Sequence, residues 1–261
     1  MTNPELAISK TRALFPIPDY AGRLVSCESY RLLAHTALKY CRPGDNILDF
    51  GCGPCDKTAV LQFLGFNCSA YDDLSDDWHL ADDNRRKIMD FAAAAGVGFT
   101  LADGSPLPYQ AQSFDALMIL DVLEHLHDSP RPLLNSLINL IKPGGILIVT
   151  VPNAVNIRKR IDVLLGRTNL PGYDGYFLSE GRWRGHVREY VRNDLERMCH
   201  FENLQILELR GCDQMLDKVP RLLRWPYTML TRLFDSWKDS WLLVARKPDN
   251  WMPALPENFK K

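Results

Sequence analysis

The sequence predicts an α/β protein built on a doubly wound parallel β-sheet. Short apolar runs alternate with segments of helical periodicity along most of the 261 residues. Each run is almost continuously apolar, as strands are when helices cover both faces of a parallel sheet. A hydrophobic fraction of 46% and a formal net charge of −1 are typical of a soluble globular chain and exclude the disordered and fibrous classes.

Composition also narrows the functional classes. A near-zero net charge is not typical of a dedicated nucleic-acid binder, so no nucleic-acid partner is expected. No apolar run approaches the roughly 18 residues of a membrane span, and the start of the chain lacks the apolar stretch of a secretory signal. The seven cysteines are an odd number and are expected to be reduced thiols. Together these features favour a cytoplasmic protein.

The predicted elements before residue 153 alternate regularly. Apolar residues at helical spacing predict a helix over 25–41, which Pro43 and Gly44 end. Residues 142–145 (Lys-Pro-Gly-Gly) are typical of a turn. The remaining elements are strands at 46–50, 68–71, 98–102, 114–120 and 146–151 and helices at 56–64, 85–95 and 132–141.

After the fifth strand this alternation lapses over 153–192. The segment carries eight Lys or Arg residues against four acids, together with five aromatic residues. An insertion of this length after the carboxyl end of a strand is usually functional. A helix near 193–200 and strands at 204–209 and 240–245 then resume the pattern.

The first strand leads directly into a glycine-containing turn at 51–54 (Gly-Cys-Gly-Pro). Glycine lets a backbone approach a ligand closely, and the helix N-terminus that follows favours polar groups. A dinucleotide fingerprint needs Gly or Ala at the position of Asp56, whose carboxylate would repel a pyrophosphate. No P-loop Gly-Lys-Ser/Thr follows either, so the turn disfavours a phosphate-bearing cofactor.

Acids lie near the ends of successive strands. Asp49 precedes the glycines, Asp72 ends the second strand and Asp103 ends the third. Asp72 can accept from both hydroxyls of a ribose, and Asp103 can accept from an adenine amino group. Each acid alone is equally typical of a helix cap or a solvated loop. Together they predict an acidic pocket for a ligand that carries sulfonium and ammonium groups.

An ordered set of motifs over roughly 44–154 resembles class I S-adenosylmethionine-dependent methyltransferases. Residues 185–190 (Gly-His-Val-Arg-Glu-Tyr) are more loosely similar to small-molecule and glycan-type methyltransferases of bacteria. The ordered set consists of 47–54 (Ile-Leu-Asp-Phe-Gly-Cys-Gly-Pro), Asp72, 102–104 (Ala-Asp-Gly), 113–115 (Ser-Phe-Asp), 121–125 (Asp-Val-Leu-Glu-His), 142–145 and 151–153 (Val-Pro-Asn).

The resemblance implies S-adenosylmethionine as cofactor and a Rossmann-like, mostly parallel sheet of seven strands whose last strand is antiparallel. Cys55 stands where the family often has a third glycine, and its side chain is expected to crowd the methionine end of the cofactor. The implied domains are an N-terminal helical cap (1–45), a cofactor-binding core (46–152), an acceptor-site insertion (153–192) and a completion of the core (193–261). The implied cofactor-binding residues are Asp49, Gly51, Cys52, Gly53, Asp72, Asp73, Asp103, Gly104 and Asp121.

Methyl transfer to a hydroxyl usually needs a general base, and Glu124, His125, His127 and His186 are the candidates. His125 ranks first because it follows the carboxyl end of a strand, where ligands bind. His186 ranks second, since neighbouring arginines would lower the pKa of its imidazole and favour the neutral base. The alternatives are that His125 caps or packs the next helix and that His186 is an ordinary loop histidine.

Cations of the insertion could hold an acidic acceptor or form a solvated basic face. Trp183 and Tyr173 could stack on a sugar ring or belong to a core of the insertion itself. Cys52 and Cys55 lack a second cysteine pair, so no metal is expected. The basic and apolar residues of 213–236 predict either an amphipathic helix over the sheet or contact with the inner face of a membrane. The cations of the insertion that could hold an acidic acceptor are Arg158, Lys159, Arg160, Arg182, Arg184 and Arg188.

The acidic cofactor pocket beside a basic, aromatic insertion favours O-methylation of an acidic glycan, glycolipid or related small metabolite. The expected partner is therefore a small-molecule, glycan or lipid-linked acceptor. One alternative is an RNA or protein acceptor, although 121–124 (Asp-Val-Leu-Glu) lacks the Asn/Asp-Pro-Pro-Tyr/Phe motif of enzymes that methylate base amino groups. The other is a non-catalytic, partner-binding module with the same fold.

Overall fold

Seven strands form one sheet in the computed structural model, which describes residues 3–17, 27–214, 216 and 219–253. The strands lie in the order β3-β2-β1-β4-β5-β7-β6. β1 to β5 are parallel, and β7 is antiparallel to both of its neighbours. This confirms the predicted seven-stranded α/β fold with an antiparallel last strand. The bounds are β1 (Asn46–Phe50), β2 (Asn67–Asp72), β3 (Gly98–Leu101), β4 (Phe114–Leu120), β5 (Ile141–Pro152), β6 (Gln205–Cys212) and β7 (Ser240–Arg246).

Helices connect the strands and extend the N-terminal side. The α-helices are α1 (Pro4–Leu14), α2 (Cys27–Tyr40), α3 (Asp56–Phe63), α4 (Asp77–Leu80), α5 (Asn84–Ala95), α6 (Arg131–Leu140), α7 (Ile157–Leu164), α8 (Tyr173–Phe177), α9 (Arg192–Phe201) and α10 (Arg224–Thr231). α1 was not predicted; the Asn3 side chain caps it by accepting from the backbone N–H groups of Glu5 and Leu6. None of the helices described here is long and apolar enough to cross a membrane.

Parts of the predicted segments lie outside the described residues. These are the predicted start of α2 at residue 25, residues 1–2 and 18–26 of the 1–45 cap, residues 215, 217 and 218 of the 213–236 segment, and the tail 254–261.

β5 begins five residues earlier than predicted. Ile141 pairs with Phe114, and after a register shift Ile146 pairs with Ala116, so residues 142–145 lie within the strand. A Cβ on Gly145 would lie 2.8 Å from the carbonyl oxygen of Asp115, which explains a glycine there. The prediction of a turn at 142–145 was therefore wrong: these residues form an irregularity inside β5.

The sheet separates two apolar layers. Successive side chains of a strand point to opposite faces, so Ile47 and Met118 belong to one layer and Leu48 and Leu117 to the other. α1, α2, α3 and α5 contribute to the first layer, and α6 and α9 contribute to the second. Coverage of both faces is what the continuously apolar strands predict.

Two long segments leave the sheet at the same edge, where the parallel strands end. Pro152 of β5 pairs with Ser240 of β7, and Ser240 also pairs with Cys212 of β6. The insertion after β5 and the β6–β7 connection therefore start side by side. Asn153 joins them, because its buried side-chain amide donates a hydrogen bond of 2.8 Å to the carbonyl oxygen of Lys238. Both segments thus lie next to the sheet edge at which such folds bind ligands.

Aromatic residues of the insertion do not all form a core. Tyr173 and Phe177 stack on each other with ring centroids 5.5 Å apart, yet they are 66% and 68% exposed. Trp183 is half-buried and contacts the ring of Tyr176 edge-on. The interpretation of Tyr173 as part of a private core is therefore wrong, and α8 presents an apolar surface.

Candidate functional site

A cavity of about 980 Å³ opens at the carboxyl ends of β1, β2 and β4. It is lined by the turn after β1, by the residues that follow β2 and β4, and by residues 182–184 of the insertion. The topology thus brings together side chains that are far apart in the sequence. The predicted site residues that line the cavity are Asp49, Gly51, Cys52, Gly53, Asp72, Asp73, Asp121, His125 and His127.

The glycine turn after β1 has two positions that require glycine for different reasons. Gly51 has a φ of +73°, and a Cβ there would lie 2.4 Å from Cγ2 of Val122. Gly53 has a φ of +52°, and a Cβ there would have no neighbour within 4 Å. Gly51 therefore permits close packing against the segment after β4, whereas Gly53 leaves open space.

Asp72 holds the glycine turn in place. One carboxylate oxygen accepts the backbone N–H of Gly53 at 2.7 Å, and the other accepts the backbone N–H of Leu74 at 2.7 Å. Burial raises the pKa of Asp72, and these hydrogen bonds oppose that effect. Each carboxylate oxygen has a second lone pair, so the group can still accept hydroxyls of a ligand.

Asp49 is a buried acid beside the turn. It is 1% exposed, and its Oδ2 accepts the hydroxyl of Thr58 at 2.5 Å. Its Oδ1 has no hydrogen-bond partner among the described residues. Burial raises the pKa of Asp49 to about 7. Because a buried carboxylate oxygen without a donor is unfavourable, this oxygen is suited to a cationic or donating group of a ligand.

Asp121 is held by an ion pair that joins β4 to α3. Its side chain accepts the ammonium of Lys57 and the hydroxyl of Thr150, each at 3.0 Å. Burial raises the pKa of Asp121, but Lys57 outweighs that effect and lowers it. Its φ of 57° lies in the left-handed region, which is unusual for a residue other than glycine. Such strain is typical of functional sites.

Asp56, the residue whose carboxylate disfavours a dinucleotide, is buried. It is 3% exposed, and its carboxylate accepts the hydroxyl of Tyr30 at 2.6 Å. Tyr30 comes from α2, so this contact attaches the N-terminal region to the start of α3. The sequence analysis missed Tyr30, for which the only signal was its position in an otherwise apolar helix face.

Cys55 does not crowd the cavity. Its φ of 63° is left-handed, a conformation that glycine adopts without steric cost. Its side chain is 0% exposed, belongs to the apolar layer and is not part of the cavity lining. The expectation that this side chain meets the methionine end of the cofactor was therefore wrong.

Asp73 lines the cavity, whereas Asp103 and Gly104 do not. The Asp103 carboxylate accepts the backbone N–H of Ser105 at 2.9 Å, which stabilises the turn after β3. Cys52 is buried in the turn, and burial raises the pKa of its thiol. Asp103 is thus an exposed loop residue, which the sequence left as one of its alternatives.

Glu124, His125 and His186 form a cluster at the cavity wall after β4. One donor atom of each residue lies within 4.8 Å of the others, and the two imidazole rings are 5.0 Å apart, edge to face. Glu124 is 0% exposed, and neither of its carboxylate oxygens has a partner among the described residues. Burial raises the pKa of Glu124 to about 9. Only His125 of the three lines the cavity, and the other two lie behind it.

Backbone contacts tie this cluster to the insertion. Nδ1 of His125 lies 2.8 Å from the carbonyl oxygen of Arg184, and Nε2 of His127 lies 2.7 Å from that of Trp183. The carbonyl of Glu124 accepts the backbone N–H of Val187 at 2.7 Å. The turn after β4 and residues 183–187 therefore form one unit.

His186 contacts a carboxylate of the insertion. Its Nδ1 lies 2.9 Å from Oε1 of Glu189, and the second oxygen of Glu189 pairs with Lys159. Arg184 instead lies 3.7 Å from Asp76, and Arg188 lies 3.5 Å from Asp194. The sequence analysis missed Glu189 as a partner, although its spacing of three residues from His186 was a signal.

Most of the predicted acceptor-binding cations are occupied by groups of the chain itself. Lys159, Arg184 and Arg188 form the ion pairs above, and Arg160 donates to the carbonyl of Val155. Arg182 lines the cavity, is exposed, and forms no ion pair within the described ranges. Arg182 is therefore the cation best suited to meet an acidic acceptor.

His79 is a cavity residue that the sequence analysis missed. It is 4% exposed, lines the cavity beside Asp72, and neither ring nitrogen has a partner among the residues described. Burial lowers its pKa, which favours the neutral imidazole. A neutral imidazole with two unpartnered nitrogens can both donate to and accept from a ligand in this part of the cavity.

These features fit the S-adenosylmethionine that the sequence resemblance implies. Gly53 leaves open space at the turn, Asp72 keeps lone pairs for ribose hydroxyls, and the buried Oδ1 of Asp49 has no donor. Seven acids line the cavity, which suits a ligand with sulfonium and ammonium charges and disfavours phosphates. These acids are Asp49, Asp56, Asp72, Asp73, Asp76, Asp121 and Asp128.

Residues 23–209 match a family model described as a methyltransferase domain. The chain is 30% identical over 151 residues to a ubiquinone/menaquinone biosynthesis C-methyltransferase of Methylococcus capsulatus, a match that covers 56% of this chain and 60% of that protein. It is 27% identical over 218 residues to a ubiquinone biosynthesis O-methyltransferase of Xanthomonas campestris, covering 83% of this chain and 82% of that protein.

A solved structure of an S-adenosylmethionine-dependent methyltransferase from Methanosarcina mazei has a similar fold. It superposes with a TM-score of 0.57 at 15% identity and covers 82% of this chain and 97% of that one. At this identity the likeness concerns the fold alone, and it agrees with the seven-stranded topology described above.

Proposed function

The chain belongs to the methyltransferase family of S-adenosylmethionine-dependent enzymes, and we propose that it O-methylates an acidic glycan, a glycolipid or a related small metabolite. The observation that carries this proposal is the cluster of Glu124, His125 and His186 next to a cavity that fits the cofactor. A hydroxyl acceptor has to lose a proton, and this cluster offers groups that can accept one.

When bound, the cofactor supplies a methyl group on a positively charged sulfur, which departs with the electron pair of the broken S–C bond. The residues of this chain bind and orient the cofactor and the acceptor, and they deprotonate the acceptor. Asp72, Asp49 and the glycine turn hold the cofactor, and the segment 182–184 limits access of water at the rim of the cavity. In-line transfer depends mainly on such positioning of the two reactants.

His125 is the residue we assign to proton acceptance. A carbonyl oxygen can only accept, so the contact with Arg184 requires the proton of neutral His125 on Nδ1. The lone pair is then on Nε2, where a base needs it. His186 is oriented in the same way by Glu189, whose carboxylate accepts from its Nδ1.

Exposed apolar residues around the site favour the lipid-linked form of the acceptor. In the insertion Leu164 and Phe177 are 84% and 68% exposed, and in the β6–β7 connection Leu222 and Trp225 are 93% and 74% exposed. Both segments start at the sheet edge that carries the cavity. Exposed apolar surface of this kind marks an interaction site. One of the similar proteins is also named for an O-methylation in the biosynthesis of ubiquinone, an apolar compound.

We further propose that the 213–236 segment contacts an anionic membrane surface. Arg221, Arg224 and Arg232 alternate with the exposed apolar residues, the combination that binds anionic lipid headgroups and the adjoining acyl region. Binding to phosphatidylglycerol vesicles but not to phosphatidylcholine vesicles is expected. The double variant Leu222→Ser, Trp225→Ser should lose this binding, whereas Leu6→Ser, which changes a 66% exposed leucine in α1, should not.

The proposed reaction is tested with methyl-labelled S-adenosylmethionine. The purified protein is offered acidic sugars, glycolipids, phenolic lipids, RNA and protein, and alkali-stable methyl ethers are sought in the products. We expect label in one of the first three classes, lost in His125→Ala and kept in His200→Ala, which changes a histidine on α9. Label only in RNA or protein would contradict the proposal and favour those acceptors.

A further inference from the structure

Glu124 is a buried acid for which the described residues provide no hydrogen-bond partner. Its carboxylate is completely buried, and no donor among the described residues reaches either oxygen. A buried carboxylate without hydrogen bonds or a counter-charge is strongly unfavourable, so such groups are normally paired or bound to a metal ion. Two histidines, His125 and His186, each have a ring nitrogen within 4.8 Å of a carboxylate oxygen of Glu124, and histidines are common metal ligands.

We propose that Glu124, His125 and His186 form a binding site for a divalent transition-metal cation. Two imidazole nitrogens and one carboxylate oxygen form a donor set that suits zinc and similar ions and is poor for Mg²⁺, which prefers oxygen. The donor atoms lie within 4.8 Å of one another. Around a tetrahedral ion they would be about 3.3 Å apart, so side-chain rotation has to bring the donor atoms closer together by at most about 1.5 Å.

The surroundings of both histidines match those of metal ligands. A metal-binding histidine generally donates its other ring N–H to a carbonyl or a carboxylate, which fixes the tautomer and the ring orientation. Nδ1 of His125 contacts the carbonyl oxygen of Arg184 at 2.8 Å. Nδ1 of His186 contacts the carboxylate of Glu189 at 2.9 Å. In both rings the lone pair is therefore on Nε2, the atom that would bind the cation.

The site would connect two parts of the structure. Glu124 and His125 belong to the turn after β4, whereas His186 belongs to the insertion. A cation bound by all three residues adds a cross-link to the backbone hydrogen bond between Val187 and Glu124. It would thus fix the insertion over the cavity.

The role of the cation in catalysis rests on the proposed O-methylation. A cation with three protein ligands keeps a position for an oxygen ligand. His125 lies at the cavity wall, so an acceptor hydroxyl that enters from the cavity can bind there. A bound cation lowers the pKa of such a hydroxyl, whose proton then leaves to water. In that case the cation, and not direct transfer to His125, activates the acceptor.

The inference is tested by metal binding to the tag-free, full-length protein after treatment with a chelator. Titration calorimetry with Zn²⁺ and visible absorption with Co²⁺ should each show one equivalent bound, and Mg²⁺ should not compete. Glu124→Gln and His186→Ala should weaken binding by about 100-fold or more, and Glu189→Gln by about 10-fold. His200→Ala, which changes an exposed histidine on α9 outside the cluster, should bind normally. Thermal unfolding checks that each variant is folded.

Absence of Zn²⁺ binding, or binding that none of the cluster variants weakens, would overturn the inference. The second result would indicate that cysteines bind the ion. If the cation does not bind but His125→Ala abolishes O-methylation, the proposed function stands without a metal. If the cation binds but no hydroxyl acceptor is methylated, the metal site stands and the proposed function fails.

Discussion

The carboxylate of Asp72 accepts the backbone N–H of Gly53 at 2.7 Å. The acid at the end of β2 therefore has a structural role in the glycine turn in addition to its proposed contact with ribose. A variant at this position affects both the shape of the turn and the ligand. The choice of substitution decides which of the two effects is measured.

Asp72→Asn is expected to weaken S-adenosylmethionine binding by about tenfold or more, since the amide has only one accepting oxygen for two backbone donors and the ribose. Unfolding free energy should fall by about 1 to 2 kcal/mol for the same reason. Titration calorimetry and urea unfolding measure the two effects. Asp77→Asn, an exposed change in α4, should alter neither quantity.

Gly51→Ala and Gly53→Ala should fail in different ways. A Cβ on Gly51 would overlap Cγ2 of Val122 at 2.4 Å, which should destabilise the protein by about 1 to 3 kcal/mol. A Cβ on Gly53 meets no protein atom within 4 Å, so its main effect should be weaker cofactor binding. Adding Val122→Ala should restore part of the stability of Gly51→Ala and none of the binding lost in Gly53→Ala.

Cys55→Gly should leave cofactor affinity unchanged to within about twofold, since the side chain lies in the apolar layer and not in the cavity. Glycine would also relieve the left-handed backbone at this position, where a non-glycine residue costs about 1 to 2 kcal/mol. Calorimetric titration of the variant checks the prediction. An affinity gain of tenfold would mean that the thiol does obstruct the cofactor.

Glu208 should stabilise the folded protein at pH values above the pKa that this side chain has in the unfolded chain. Burial opposes ionisation, but Lys39, Tyr40 and Arg210 outweigh it and lower the pKa of Glu208 from 4.5 to about 2. The stabilisation is therefore complete at neutral pH and lost as pH falls from about 4.5 towards 2, and it amounts to about 2 to 3 kcal/mol. Urea unfolding should show Glu208→Gln less stable than wild type at pH 7, with the difference shrinking at pH 3.5. Glu5→Gln, in an exposed ion pair, should change little.

The contribution of Glu202 to stability should depend on pH in the opposite direction to that of Glu208. It is 2% exposed, and burial raises its pKa from 4.5 to about 7, partly opposed by Arg131. A raised acid pKa favours the neutral form in the folded state, so stability falls as pH rises from about 4.5 through 7. Glu202→Gln should therefore be more stable than wild type at pH 8 and similar to it at pH 4.5. Equal stability of the two proteins at pH 8 would contradict the shift.

The sheet was predictable because each of its first four strands is an apolar run bounded by polar or turn residues. The predicted β5 was too short because residues 142–145 have the composition of a turn. The pairing of Ile141 with Phe114 shows that the strand starts at Ile141. α1 was missed because its buried face consists mainly of the small or polar residues Ala7 and Thr11 with Ile8, which gives a weak helical pattern.

The cofactor half of the site followed from strand ends, since acids after parallel strands meet at one edge. The acceptor half of the site could not be predicted from strand ends. His125 and His186 are 61 positions apart and meet through the path of the insertion, which has no periodic pattern. The ion pairs of Arg184 and Arg188 likewise depend on side-chain directions that composition does not reveal.

The position of β7 constrains the order in which the chain can fold during synthesis. The ribosome makes β6 first, yet within the described part of the chain β6 pairs only with β7, and β7 must lie against β5. Until β7 emerges, β6 has no partner in the sheet and β5 is an open edge whose unpaired backbone groups can bind another chain. The nascent chain should therefore be prone to aggregation until the ribosome releases residues 240–246. Pairing of β7 with β5 and β6 is thus a late step in folding.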